Sequence, residues 1–172
     1  MNGTKRLISA LSGLIICFQS CSTAVSDCQE HFIGTNFWYG PILASDGPGS
    51  DHERLSAELD SLKSIGITNL RVLAGADGED GIAVKVRPAL QTAPGVYNDD
   101  ILNGIARFLN ELEKRDMKAV IYLNNAWEWS GGYGTYLEWA GAGKCPDTRR
   151  DGYGKYIDFV SQFPVKKKKK EL

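Results

Sequence analysis

Residues 118–141, KAVIYLNNAWEWSGGYGTYLEWAG, place two adjacent amides, Asn124 and Asn125, beside five aromatic side chains, Trp127, Trp129, Tyr133, Tyr136 and Trp139, with glycines between them. Neutral amides next to flat rings suit a ligand with hydroxyls along its edge and an apolar C–H face. Amides hydrogen-bond to the edge, and an indole covers the face while keeping one polar N–H. A sugar ring is such a ligand. Trp127, next to the asparagine pair, is the expected stacking partner, with Asn125 reaching the hydroxyls. Tyr136 and Trp139, three residues apart, are expected on one face of a short helix that packs the loop. Glu128 reads as a solvated loop residue or an acceptor for a substrate hydroxyl, because one carboxylate cannot run a two-carboxylate hydrolysis.

Arg71 is the second singular residue, a cation inside the apolar run NLRVLA. A buried arginine needs a partner, normally a carboxylate, since an unpaired buried charge is very costly. Two roles stand open: a salt bridge at a strand end, or the orientation of a catalytic carboxylate held ionised. His31 and His52 are isolated and no CxxC occurs, so neither a metal site nor a cofactor is expected.

These residues are carried by an alternation of strand and helix signals. Residues 31–40 read as a strand ending in a Gly/Pro loop. A helix follows, with a capping box of Ser50 and Glu53, an apolar stripe of Leu55, Leu59, Leu62 and Ile65, and Gly66 as its stop. Residues 68–74 form a second strand. After a Gly/Pro-rich loop, Asp99 or Asp100 opens a helix with the stripe Leu102, Ile105, Leu109 and Leu112. The third strand ends at the asparagine pair, and residues 151–163 form a third helix carrying Tyr156, Ile157 and Val160. The order β-α-β-α-β-α implies an α/β fold with parallel pairing and right-handed crossovers. A small open sheet and the first three β-α units of a (β/α)8 TIM barrel, incomplete, both fit. Long residue-rich loops after strands and short returns after helices favour the barrel.

The chain has 172 residues and a net charge of -1, but Lys5, Arg6 and the run Lys166 to Lys170 hold much of the positive charge at the ends. The body between them is acidic, which disfavours nucleic acid as a partner. Residues 1–24 read as an export signal: a basic start, then the apolar LISALSGLIICF, too short for a membrane span. STA at 22–24 offers ordinary cleavage. FQSC, ending at Cys21, resembles a bacterial lipoprotein box, with Cys21 lipidated. In an exported chain Cys28 and Cys145 could form a disulfide. Residues 164–172, PVKKKKKEL, directly after the third helix, are expected to be an aberrant lysine-rich tail produced by a frameshift in an A-rich run, or else a solvated tail.

The stretches FIGTNFWYG, ITNLRVLA and AVIYLNNAWEWSGGYGTYLEWAG, in this order and spacing, resemble the N-terminal part of glycoside hydrolase family 5, and most of all its endo-β-1,4-mannanases. The resemblance runs over residues 31–163, within an expected domain of 25–163. It implies a (β/α)8 barrel and retaining hydrolysis of β-1,4-mannan by two glutamates. It places Arg71 beside the nucleophile, and Asn36, Trp38, Asn125 and Trp127 in or near the sugar cleft. Both glutamates belong to later strands in that family. The one Asn-Glu pair here, Asn110-Glu111, falls in mid-helix. The chain is therefore expected to be inactive alone. A non-catalytic glycan-binding protein and a fragment of a related β-1,4-glucanase remain as alternatives.

Overall fold

Residues 67–73, ITNLRVL, alternate side chains across the pleat, and the second strand is built on that alternation. In the computed structural model, which describes residues 32–79 and 86–162, strand β2 (Ile67–Leu73) is central. Strand β1 (Ile33–Asn36) pairs with it in parallel on one side, and β5 (Lys118–Tyr122) on the other. Leu70 and Val72 of β2 are fully buried on the helix side, whereas Arg71 between them is exposed.

Parallel neighbours require crossovers, and helices α2 (His52–Ser64) and α3 (Asp99–Glu113) provide them. Asp51, not Ser50, caps α2 by accepting from the Arg54 N–H at 2.9 Å. The helix buries Leu55 and Leu59, while Ile65 lies beyond its end, 68% exposed. Asn98 caps α3 by accepting from the Asp100 N–H at 3.0 Å, and Asp99 and Asp100 sit favourably at its positive end. The buried stripe of α3 is Ile101, Gly104, Phe108 and Leu112. Leu102 and Leu109 face out, so the stripe is rotated by one residue from the expected one at its start.

The rotation has a cause in an element that the sequence did not announce. The first strand stops at Asn36, and a short helix α1 (Gly40–Ala44) with Pro41 in its first turn follows. Helix α1 lies on α3 at Gly104, where a Cβ would collide with the Pro41 carbonyl oxygen. Phe37 turns inward and stacks on Phe108 with centroids 5.9 Å apart. Phe37, Leu43, Leu55, Leu59, Leu70, Val72, Phe108, Leu112 and Met117 form the core between sheet and helices.

The loop after β2 contains a hairpin of β3 (Gln91–Ala93) and β4 (Val96–Tyr97), also unannounced. Beyond β5, helix α4 (Gly132–Trp139) carries Tyr136 and Trp139, rings edge to face at 5.5 Å. The expected third helix, residues 151–163, is present as the shorter α6 (Tyr153–Val160), separated from a preceding single turn α5 (Thr148–Asp151) by Gly152, whose φ of 85° suits glycine. Tyr156 and Phe159 are its buried residues, and Ile157 is 44% exposed. The expected export signal, Cys21, Cys28 with its pairing to Cys145, and the lysine tail lie outside the described residues. Among the described residues no helix is long and apolar enough to cross a membrane.

Candidate functional site

Register places Asn36 of β1, Arg71 of β2 and Val120 of β5 in one row across the sheet. Alternation puts Gly34, Asn69 and Lys118 in the row below, and Tyr122 one step above Val120 on the same face. Among the described residues no helix covers this face, where Arg71 and Val120 are exposed. Gly34, Thr35, Asn36, Asn69, Arg71 and Val120 line a shallow hollow of about 470 Å³. The Asn69 side-chain oxygen is buried at its edge without a hydrogen-bond partner among the described residues.

Arg71 does not find the carboxylate that its burial would have demanded, because it is not buried. Among the described residues it takes part in no ion pair with an acid. Its guanidinium carbon lies 3.9 Å from the centroid of the Tyr122 ring, and one N–H reaches Asn36 Oδ1 at 3.4 Å. The cation–π contact orients the guanidinium while the open face leaves its other donors to solvent or ligand. The Tyr122 platform was missed in the sequence. Two-residue periodicity along β5, together with the register to Arg71, is the signal that finds it.

The aromatic residues divide into two groups. Trp38, 39% exposed, packs edge to face against Trp129 at 5.7 Å and Tyr39 at 5.3 Å. Trp127, 55% exposed, instead pairs with Tyr153, which opens α6. Asn125 Oδ1 accepts from the Trp127 backbone N–H at 2.8 Å, an Asx turn that fixes the tryptophan and leaves the Asn125 amide donors to other partners. Glu128 is partly buried, and its Oε2 has no hydrogen-bond partner among the described residues. Glu111, of the Asn-Glu pair, stays on α3 and pairs with Lys114 and Arg115.

What holds these loops together is Asp77, a buried acid in the loop after β2. Its carboxylate accepts from Tyr136 Oη at 2.7 Å, Asn124 Nδ2 at 3.2 Å and Gln91 Nε2 at 3.2 Å. Its backbone N–H donates to Ser130 O at 3.0 Å. Asn124 also donates to Tyr136 Oη at 3.0 Å. The amide nitrogen of the first asparagine is thus engaged within the fold, while in the second it is the side-chain oxygen that is engaged, by the Trp127 N–H. No sequence signal distinguishes Asp77 from an ordinary loop acid in GADG.

Burial, reinforced by the hydrogen bond to Asp77, pushes the Tyr136 hydroxyl up to about 12. Burial does the same for Tyr156, also to about 12. Each folded value lies above the usual 10.0, so the associated stability is complete below pH 10 and is lost as pH rises through about 12. Tyrosinate absorbance should therefore show Tyr136 and Tyr156 as the last to titrate among the seven tyrosines, after Tyr39 and Tyr153, which are raised as well. Tyr136→Phe should remove one of the last two, and uniform titration near 10 would refute the burial-based assignment.

A parallel sheet with crossover helices, whose polar and aromatic groups cluster toward the C-terminal ends of its strands, is the arrangement of α/β domains of the barrel type. The chain belongs to glycoside hydrolase family 5: the family model described as "GH family 5 beta-mannosidase-like" matches residues 19–172. A family 5 mannosidase from Rhizomucor miehei, solved as an E202A mutant with mannosyl-fructose, superposes with a TM-score of 0.71 at 32% identity. That match covers 77% of this chain and 32% of the other. The described units are accordingly the first three β-α units of a TIM barrel, an incomplete barrel. Mannan endo-1,4-beta-mannosidase 1 of Oryza sativa subsp. japonica is 32% identical over 109 residues, 63% of this chain and 23% of that one. Mannan endo-1,4-beta-mannosidase 7 of Arabidopsis thaliana is 28% identical over 120 residues, 70% of this chain and 26% of that one. The chain spans about a quarter of the length of the curated relatives it matches.

Proposed function

We propose that this chain supplies the first three β-α units, and part of the sugar-binding face, of a retaining hydrolase of β-1,4-mannan. The observation that carries this reading is the row Asn36–Arg71, with the guanidinium laid over the Tyr122 ring: one neutral and one cationic hydrogen-bonding group held toward the C-terminal part of their strands, with Trp127 in the loop beyond. Retaining hydrolysis uses two carboxylates about 5–5.5 Å apart, one as nucleophile and one as acid/base. The described residues place no carboxylate beside Arg71, and in this reading both glutamates come from later strands. Arg71 then orients the nucleophile and favours its ionised form, while Asn36, Trp38, Asn125 and Trp127 hold the sugar. The substrate class rests on the family and on relatives named as mannan hydrolases.

The test is in two parts. In an enzyme that carries the remaining strands, Arg71→Ala should lower kcat on the order of 10²-fold, because an aligned charge acting on the reacting groups is lost. Trp127→Ala should chiefly raise KM, by about fivefold, since stacking serves ground and transition states alike. Unchanged kinetics in both variants would remove these residues from the site. With the 172-residue chain itself, β-1,4-mannohexaose should quench tryptophan fluorescence at lower concentration than cellohexaose. The reverse preference would make the substrate a glucan.

Export belongs to the same proposal, since a polysaccharide of this size is met outside the cell. It is supported by the Lys5/Arg6 start and the apolar run after it. Intact mass of envelope-associated chain should show a mature start at Cys21, carrying lipid, or at Val25. An unprocessed Met1 would refute export.

A further inference from the structure

Trp127 and Tyr153 are separated by 26 positions, yet their rings lie 29° from parallel with centroids 6.3 Å apart. At that separation the rings are offset rather than overlaid. Trp127 remains 55% exposed and Tyr153 41% exposed. Tyr156, in the same helix, is by contrast buried, at 2%. Scattered single exposed aromatics are ordinary on protein surfaces. This pair differs because both rings are fixed from below. The Asn125 turn holds the Trp127 backbone. Tyr156 Oη donates to the carbonyl oxygen of Ala126 at 3.1 Å, tying α6 to the residue before Trp127. Tyr156 also supports the Tyr153 ring from the side, at 5.9 Å and 36°. Gly152, at φ 85°, lets the helix begin with Tyr153.

We propose that Trp127 and Tyr153 form one preorganised platform along a β-1,4-linked oligosaccharide, Trp127 under the last unit of an inner disaccharide and Tyr153, the outer ring, under the unit that follows it. The proposal rests on the reading of the chain as part of a mannan-binding enzyme, and assigns to it a position the reading lacked. Two offset rings tilted slightly to one another present successive apolar faces to a linear chain. A disaccharide held at the inner position occupies Trp127 alone. Because the rings are already ordered, little entropy is lost in using them. Partial covering, and then the nearby Glu128 carboxylate, raise the Tyr153 hydroxyl above its ordinary value.

The experiment is a fluorescence titration of the full 172-residue chain with β-1,4-mannobiose and β-1,4-mannohexaose, comparing wild type, Tyr153→Ala, Tyr153→Phe and Trp127→Ala. Tyr153→Ala should weaken hexaose binding about fivefold and leave mannobiose unchanged. Tyr153→Phe should bind as wild type, because the ring and not the hydroxyl makes the contact. Trp127→Ala should weaken both ligands. Equal binding of the hexaose by Tyr153→Ala and wild type, with Trp127→Ala still impaired, would overturn the platform and leave the proposed function standing. Equal losses on both ligand lengths in Tyr153→Ala would also overturn it, showing that Tyr153 acts through the fold. Wild-type chain binding neither sugar would overturn the proposed function itself, and the platform with it. Circular dichroism of each variant identifies a folding failure, in which case Tyr153→Leu, which keeps apolar volume without the flat ring, replaces Tyr153→Ala with the same expected losses.

Discussion

Phe108→Ala is expected to destabilise the chain by about 4 kcal/mol, the usual cost of emptying a fully buried aromatic position. Phe108 has no exposed surface and stacks on Phe37, the residue by which the chain leaves β1 for the site. Its ring also fills the space above Gly40, where a Cβ would come within 2.5 Å of it. Removing the ring therefore undermines α1, α3 and the end of β1 together. Domains are stable by only about 5–15 kcal/mol, so the loss is a large fraction of the total. Urea unfolding should show a midpoint far below wild type with a similar slope. Phe108→Leu, which refills most of the space, should recover much of the difference. A midpoint unchanged in the alanine variant would show that α3 does not pack on α1 and β1 as described.

Asp77→Ala is expected to cost about 3 kcal/mol, and to loosen the very loops that carry Asn125 and Trp127. Three side-chain donors converge on this carboxylate, from the hairpin, from the end of β5 and from α4. Hydrogen bonds to a charged acceptor contribute more than neutral ones, and deleting the acceptor removes the shared partner of three donors, two of them partly buried. Tyr136 would lose the partner that helps hold its hydroxyl up to about 12. Thermal melting and hydrogen exchange give separate readings of the effect. The alanine variant should melt earlier, and amides of α4 should exchange faster than those of α2. Asp77→Asn, which keeps one acceptor oxygen, should fall between alanine and wild type. If all three proteins melted alike, the Asp77 network would be incidental to the fold.

Lys114, Glu111, Arg115 and Asp60 form a chain of ion pairs between α3 and α2 that carries less energy than its short distances suggest. Arg115 meets Asp60 at 2.6 Å and Glu111 at 2.7 Å, but Asp60 is 64% exposed. Solvent screening keeps such pairs near or below about 1 kcal/mol. The helices are held chiefly by Leu55, Leu59, Phe108 and Leu112, and the ion pairs fix their register.

Sequence periodicity alone determined the alternation of strands and helices, the parallel sheet, and the position of Arg71 within the second strand and of the asparagine pair at the end of the third. Those features depend on local spacing: leucines at helical intervals, apolar runs of strand length, and glycines where a helix must stop. Family resemblance carried in the three quoted stretches extended that reading to a barrel. Tertiary structure decided the rest, because each remaining point depends on which surfaces meet. Helix α1 lies across Gly104, so α3 buries Ile101 and Phe108 in place of Leu102 and Leu109. The two asparagines, identical in sequence terms, part company because Asp77 comes back from a distant loop to claim Asn124. Arg71 needs no carboxylate among the described residues because its face of the sheet is open and Tyr122 lies beneath the guanidinium. Trp127 and Tyr153 meet only because the loop between them folds back on itself. No local pattern encodes a contact across 26 positions; it exists only once Tyr156 has tied α6 to Ala126.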